Sequence, residues 1–296
     1  MLIPDALVRF ETQLEADGRS VHTRQQYGRH VNALAAWSAG ERLSGHVEDL
    51  SHEDLARFLT SPLANTRPDG EKKKATSMNA LRSSLKVFFG YLHEGGYVSG
   101  NPARLIKRAI TAPPPPRALT NSEEARLLGV LAGAKGAEEH RDAVLFGMML
   151  RTGLRLSSAL ELDIAAVDLE EGVLLVRTKG DRRERVFLAG AVCEDLRGFI
   201  GDRTVGPLFP NQTGGRICSR HAQRRFRIWK ERAGLAQGVS PHALRHTFAA
   251  RLLARTGDLM LVQRALTHAS ITSTVAYLRC SDARLREAMG GVEGVQ

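Results

Sequence analysis

The sequence predicts a mainly α protein in two parts: an all-helical N-terminal domain and a mostly helical C-terminal domain that carries a small β-hairpin or sheet. Three features predict it. Apolar residues recur at three- and four-residue spacing through most of the chain, as helices with one buried face require. Gly172–Leu188 departs from that period, with Val173-Leu174-Leu175-Val176 and Val186-Phe187-Leu188 flanking Lys179-Gly180-Asp181-Arg182, a hairpin with a glycine-containing turn. Pro113-Pro114-Pro115-Pro116 can continue neither a helix nor a central strand and favours a stiff extended segment. The expected boundaries are a helical domain over 1–111, a proline-rich linker over 112–118 and a second domain over 119–296.

In the first domain the period marks helices at Ala6–Ala16, Val21–Ser38, His52–Leu59 and Thr76–Glu94, separated by turns containing Gly, Pro or Asp. Within Thr76–Glu94, Met78, Leu81, Leu85, Phe88, Phe89 and Leu92 form an apolar stripe, read as packed core, while Arg82 and Lys86 lie four apart on another face. Lys72-Lys73-Lys74 just before it reads either as a solvated loop or as a phosphate contact. The second domain opens on Leu119-Thr120-Asn121-Ser122-Glu123-Glu124, a polar start with acids in the first turn, suited to a helix N-terminus. After the hairpin, helices are expected at Ala191–Gly201, Arg220–Ala233, Pro241–Arg255, Leu259–Leu266 and about Ile271–Arg279.

The chain of 296 residues is 43% hydrophobic, enough for real cores, which excludes a mainly disordered protein. No stretch approaches the roughly 18 consecutive apolar residues of a membrane-spanning helix, and Asp5 and Arg9 interrupt the N-terminus where a secretory signal needs an apolar run. A cytoplasmic protein without a membrane partner is expected. Cys193, Cys218 and Cys280 are odd in number and widely spaced, fitting neither a disulfide framework nor a CxxC metal site. The formal charge is +10, with 15 basic against 12 acidic residues up to Thr111 and 27 against 20 beyond it. Both parts are basic, so both can meet one polyanion, nucleic acid first and an acidic membrane surface second.

Several short segments hold residue types suited to a phosphodiester. In Arg151-Thr152-Gly153-Leu154-Arg155, Gly153 permits a tight approach and Arg155 offers a fixed fork of donors that matches two phosphate oxygens. In Ser240-Pro241-His242-Ala243-Leu244-Arg245-His246, Ser240 is placed to cap and Pro241 to start a helix, so His242 and Arg245 share a face where anions are favoured. His242 and His246 are also four apart, but no glutamate stands between them as in HExxH, and no metal is assigned. Downstream come His268 and Tyr277. A phenol is a weak nucleophile at its ordinary pKa near 10, and a cluster of cations around a phosphate favours its ionisation. Lys179 at the hairpin turn supplies a mobile ammonium. Each residue alone also fits an unremarkable structural role.

Together, Arg155 within Thr-Gly-Leu-Arg, Lys179 in a hairpin, His242-x-x-Arg245, His268 and then Tyr277 resemble, in type and order, the catalytic set of the tyrosine recombinases of the phage integrase family, especially the Xer-type enzymes. The resemblance spans roughly residues 4–285, with the first part similar to the family's SAM-like core DNA-binding domain. It implies that Arg155, Arg245 and His268 hold the non-bridging oxygens of a scissile phosphate. Tyr277 then attacks phosphorus to give a 3′-phosphotyrosyl link, Lys179 protonates the departing 5′ oxygen and His242 assists proton removal from Tyr277. No cofactor enters that scheme. Two positions depart from the family pattern: Ser158 stands where an acidic residue is usual, leaving Glu161 as a substitute, and Thr267 replaces glycine before His268.

Arg216, Arg220, Arg224, Arg225, Arg227, Lys230 and Arg232 form a basic stretch interleaved with Phe226, Ile228 and Trp229, suited to phosphate or major-groove contacts or to a solvated face. Lys72, Lys73, Lys74, Arg82 and Lys86, with Arg220, Arg224, Arg225 and Arg227, are the expected DNA contacts, in a C-shaped clamp around the duplex. Leu278–Gln296 resembles the family's C-terminal segment that docks on a neighbouring protomer; packing on its own domain is the alternative. The implied assembly is a homotetramer on two DNA sites, or a heterotetramer with a paralogous recombinase, in a nucleoid-associated cytoplasmic setting. Two other readings fit the same fold: a non-catalytic sequence-specific DNA-binding protein, and a DNA-relaxing enzyme like type IB topoisomerases.

Overall fold

The computed structural model describes residues 1–111, 117–178 and 182–266. The whole proline run, Lys179 with the rest of the hairpin turn, and the chain from Thr267 onward, including the expected helix near Ile271–Arg279, lie outside the described residues. The chain divides into two compact units, Met1–Pro113 and Pro114–Gln296.

The first unit contains α1 (Ile3–Ala16), α2 (Val21–Gly40), α3 (His52–Thr60), α4 (Pro62–Asn65) and α5 (Ala75–Glu94). Local chemistry fixes their starts. The Ser20 hydroxyl accepts from the Thr23 N–H, and Ser51 and Asp54 form a reciprocal capping box. The single turn α4 was not expected from the periodicity. Ser61 ends α3 and caps the new turn, whose first residue is Pro62, so the Ser-Pro pair was its local signal. Every member of the α5 stripe from Met78 to Leu92 is buried, and Phe88 packs edge-on against both Phe10 at 5.4 Å and Phe89 at 5.1 Å. Buried Asn79 ties the following segment to α5 by exchanging two hydrogen bonds with the Ala109 backbone, at 2.8 and 2.9 Å.

The second unit contains α6 (Asn121–Ala132), α7 (Gly136–Thr152), α8 (Leu156–Leu160), β1 (Val167–Asp168), β2 (Val173–Thr178), β3 (Arg182–Phe187), α9 (Gly190–Ile200), α10 (Ser219–Arg232), α11 (Pro241–Thr256) and α12 (Leu259–Ala265). The three strands form one antiparallel sheet in the order β1-β2-β3, with Leu174 opposite Val186 and Arg177 opposite Arg183. Thr120 and Glu123 form the capping box of α6. The core gathers on α7, where Val144 to Leu150 is almost wholly buried, and Phe146 meets Phe226 of α10 edge-on at 5.0 Å. α11 begins at Pro241 as expected, but the Ser240 side chain makes no capping bond. Its carbonyl instead accepts from the Ala243 N–H at 2.8 Å, and proline at the first position leaves one fewer unpaired N–H at this helix end.

Phe88 is fully buried and its ring contacts come from two helices. Phe88→Ala is therefore expected to destabilise the first unit by about 3–5 kcal/mol, read as an earlier transition in denaturant unfolding of the full chain.

Candidate active site

The site starts where α7 ends. Gly153 takes a left-handed conformation, φ +68°, and its N–H closes the helix on the Met149 carbonyl at 2.9 Å. A Cβ at this position would lie 2.4 Å from Phe248 of α11 and 2.9 Å from Leu266. Glycine is thus required twice, for the backbone angle and for the close approach. Arg155 follows with extended backbone and half-buried side chain, and its carbonyl accepts the first bond of α8 from Ala159 at 2.9 Å.

Arg245, one turn into α11, is only 6% exposed. Its guanidinium donates to the Gly153 carbonyl and to the Leu266 carbonyl, both at 2.7 Å. A buried cation needs such acceptors, and these two carbonyls fix the Thr-Gly-Leu-Arg turn and the end of α12 against α11. Nearby, the Thr247 hydroxyl accepts from the Leu119 N–H at 2.8 Å, which anchors the start of the unit to the same helix.

His242 and His246, one turn apart, meet edge-on with ring centroids 5.7 Å apart. Loss of hydration, then the charges of Arg245 and Arg155, hold His242 below the ordinary imidazole pKa. Burial, then His242 and Arg245, pushes His246 down to about 4. Both imidazoles are therefore neutral at neutral pH, and the influence of Arg155 on His242 places three of the six expected catalytic residues, Arg155, His242 and Arg245, in one electrostatic neighbourhood. Lys179, His268 and Tyr277 lie outside the described residues. Among the described residues no group of three or more His, Cys, Asp or Glu side chains is placed to hold a metal ion.

The basic helix α10 divides its arginines. Arg220, Arg224 and Arg227 are exposed, whereas Arg225 turns inward, with Nε 2.6 Å from Asp142 and Nη1 3.0 Å from Glu138, both on α7. These bonds engage two of its three guanidinium nitrogens inside the domain, in contrast to the exposed Arg220, Arg224 and Arg227. A groove of about 510 Å³ runs from Gln223, Arg227 and Lys230 of α10 to Ser240 and His242 at the start of α11. In the first unit, Lys72 and Lys74 are exposed, while the Lys73 ammonium donates to the Ala64 carbonyl at 2.7 Å. Arg82 donates to Asn79 at 3.2 Å and Lys86 to the Ile106 carbonyl at 3.3 Å.

Ser158 and Glu161 line a separate cavity of about 300 Å³ with Asp163, Arg177 and Arg183. Arg177, Arg183 and Arg185 share the exposed face of the sheet, and Arg185 lies 5.7 Å from the Phe187 ring centroid. Sequence reasoning missed this basic face. Its signal was present, because alternation along the hairpin places all three at odd positions, opposite the core residues Leu174, Val176 and Val186.

Comparison with known proteins places these features. Residues 117–284 match the phage integrase family, and residues 7–96 match the phage integrase N-terminal SAM-like domain. The chain is 32% identical over 279 residues to tyrosine recombinase XerC of Chromobacterium violaceum, covering 92% of this chain and 89% of that protein. It is likewise 32% identical over 266 residues to XerC of Xylella fastidiosa, covering 88% and 86%. In fold it resembles the XerH site-specific recombinase bound to difH in a pre-cleavage complex, with TM-score 0.71, 25% identity and coverage of 94% and 84%. A lambda integrase dimer bound to a COC′ core site gives TM-score 0.70 at 19% identity, covering 94% and 77%. The chain belongs to the phage integrase family. It is accordingly an enzyme of the tyrosine recombinase class, a DNA strand-exchange transesterase. These relatives favour recombination over a non-catalytic DNA-binding protein or a DNA-relaxing enzyme.

Two outcomes follow from the geometry. Gly153→Ala adds a left-handed penalty of about 1–2 kcal/mol to an overpacking cost of about 1–3 kcal/mol against Phe248, so a large drop in Tm is expected on thermal unfolding. For His246, the unfolded imidazole gains its proton near 6.5 and the folded one near 4, so between those values the unfolded chain binds more protons. That stability contribution is complete above about pH 6.5 and falls as the pH drops towards 4. Wild type should therefore lose more Tm across this window than His246→Gln, measured by calorimetry at fixed ionic strength.

Proposed function

We propose that this recombinase cleaves and rejoins duplex DNA at a specific site through a 3′-phosphotyrosyl intermediate, with Arg155, Lys179, His242, Arg245, His268 and Tyr277 as its catalytic residues. The observation that carries the residue assignment is the gathering of Arg155, His242 and Arg245 around the Gly153 turn. In this scheme Arg155, Arg245 and His268 hold the two non-bridging oxygens and offset the charge that builds on them in the transition state. The Tyr277 oxygen forms a bond to phosphorus as the bond to the 5′ oxygen breaks. The phenolic proton passes to His242, whose lowered pKa keeps it neutral and ready to accept, and Lys179 gives a proton to the leaving 5′ oxygen. A 5′-hydroxyl from a second strand reverses the step on the conserved phosphodiester energy, which makes the outcome exchange rather than hydrolysis.

The DNA contacts assigned to this function are Lys72, Lys73, Lys74, Arg82 and Lys86 in the helical core DNA-binding domain and Arg220, Arg224 and Arg227 on α10. Four protomers act on two sites, as a homotetramer or with a paralogous recombinase, in the bacterial cytoplasm at the nucleoid. Support comes from the charge surplus in both parts of the sequence and from the exposure of the three α10 arginines, of which Arg227 also lines the groove that reaches His242. Ser158 in place of the usual acid affects the rate and leaves every catalytic side chain present; so does Thr267.

The deciding experiment uses duplex DNA selected by the wild-type chain from a random-sequence pool and nicked beside the cleavage point, so that the released fragment diffuses away. Wild type should leave a protein–DNA adduct resistant to denaturation, and Tyr277→Phe should leave none above background. Absence of an adduct with wild type on any duplex it binds overturns the enzymatic scheme. An adduct that persists in the Tyr277→Phe chain reassigns the nucleophile.

A further inference from the structure

Beside the Phe146–Phe226 contact, α7 and α10 meet through a ladder of polar side chains at four-residue spacing. Glu138 and Asp142 on α7 face His221, Arg225 and Trp229 on α10. Fully buried Asp142 accepts from three donors: Arg141 at 2.7 Å, Arg225 at 2.6 Å and the Trp229 indole at 3.0 Å. Arg225 bridges both acids, so the two helices have one register in which all these bonds form together. Sliding α10 by a turn would leave a buried carboxylate without its indole and guanidinium partners, which is costly in a low-dielectric interior.

The last rung reaches the surface. His221 lies with Nε2 3.3 Å from Glu138, and its Nδ1 lies 3.2 Å from Nη2 of Arg224. A guanidinium only donates, so Nδ1 is the acceptor and the ring proton sits on Nε2, pointing at the Glu138 carboxylate. Arg224 itself is exposed, on the groove of about 610 Å³ that it lines with Cys218, Arg220, Gln223 and Arg227. Glu138, itself only partly buried, thus sets a histidine tautomer, and that tautomer supplies the acceptor that orients an outward arginine.

We propose that Glu138 and His221 are positioning residues for DNA recognition by Arg224, holding its guanidinium in one presentation towards base edges. The proposal rests on the reading of α10 as a DNA-contacting helix. A side chain left to rotate still contributes charge to a phosphate backbone, whereas bidentate reading of a base edge needs a fixed fork. Loss of the histidine should therefore reduce sequence discrimination more than total affinity.

The test compares two probes, the duplex that wild type selects from a random-sequence pool and a shuffled duplex of the same composition, by titration at constant salt. His221→Phe keeps a planar ring at a half-buried position and removes both nitrogens. It should lower the preference for the selected duplex about tenfold, leave affinity for the shuffled duplex within twofold, and make a further Arg224→Ala change silent for preference. Glu138→Gln, whose amide accommodates either ring tautomer, should lower the preference by a smaller factor in the same direction. Wild-type preference in either variant overturns the part assigned to that residue. Equal weakening on both duplexes, or losses from His221→Phe and Arg224→Ala that add, indicates a merely structural role and overturns the whole. If wild type itself shows no preference between the probes, the reading of α10 fails and the proposal goes with it.

Discussion

A guanidinium removed from water must be met by acceptors, and at the candidate site of the second unit that demand arises at Arg245. Its partners are backbone carbonyls from two places distant in sequence, Gly153 and Leu266. Satisfying one buried cation therefore draws the end of α7 and the end of α12 onto α11. The neighbouring contacts obey the same closure: Phe248 packs where only glycine leaves room, and Leu119 hangs from Thr247. Arg155 is delivered two residues after Gly153, so the turn that serves Arg245 also aims the second arginine.

This arrangement concentrates positive charge beside the two histidines. The imidazoles respond by staying neutral, His242 through lost hydration and the nearby arginines, His246 through burial and its neighbours. Such a centre is complementary to an anion before the anion arrives. A bound phosphate diester would bring the opposite field and make protonation of the same rings easier, which suits a group that must be a base before the step and an acid in its reversal. The depressed pKa and the proposed role of His242 thus both follow from its partly buried position beside Arg245 and Arg155.

Much of the fold was legible because its determinants are local. The α5 stripe, the Ser51–Asp54 and Thr120–Glu123 boxes, Pro241 at a helix start and the alternating hairpin all carry their signal within a few residues. What could not be read depended on partners far along the chain. Arg224 and Arg225 are adjacent and identical in type, and nothing local says which turns inward; Asp142, 83 residues away, decides it. Gly153 announced a close approach, but not that Phe248 and Leu266 make it. Thr-Gly-Leu-Arg and His-x-x-Arg were recognisable as a pattern, while the carbonyl bridge joining them lies in backbone atoms, which a residue code does not display.

α7 connects these two kinds of feature. One end carries Glu138 and Asp142 against the basic helix, and the other terminates at Gly153 under Arg245. At 1.5 Å per residue the stretch from Glu138 to Thr152 spans roughly 21 Å, and its middle is buried from Val144 to Leu150, which leaves it little freedom to bend. The apolar part of the α7–α10 interface, where Phe146 meets Phe226, would by itself tolerate a small slide better than hydrogen bonds do, because apolar attraction is weakly directional. Charged rungs at four-residue spacing do not tolerate one, since each slide strands a carboxylate or a guanidinium. The polar ladder therefore trades some stability for a fixed offset, and α7 becomes a rigid spacer between the arginines that face the groove and the arginines that gather beneath His242.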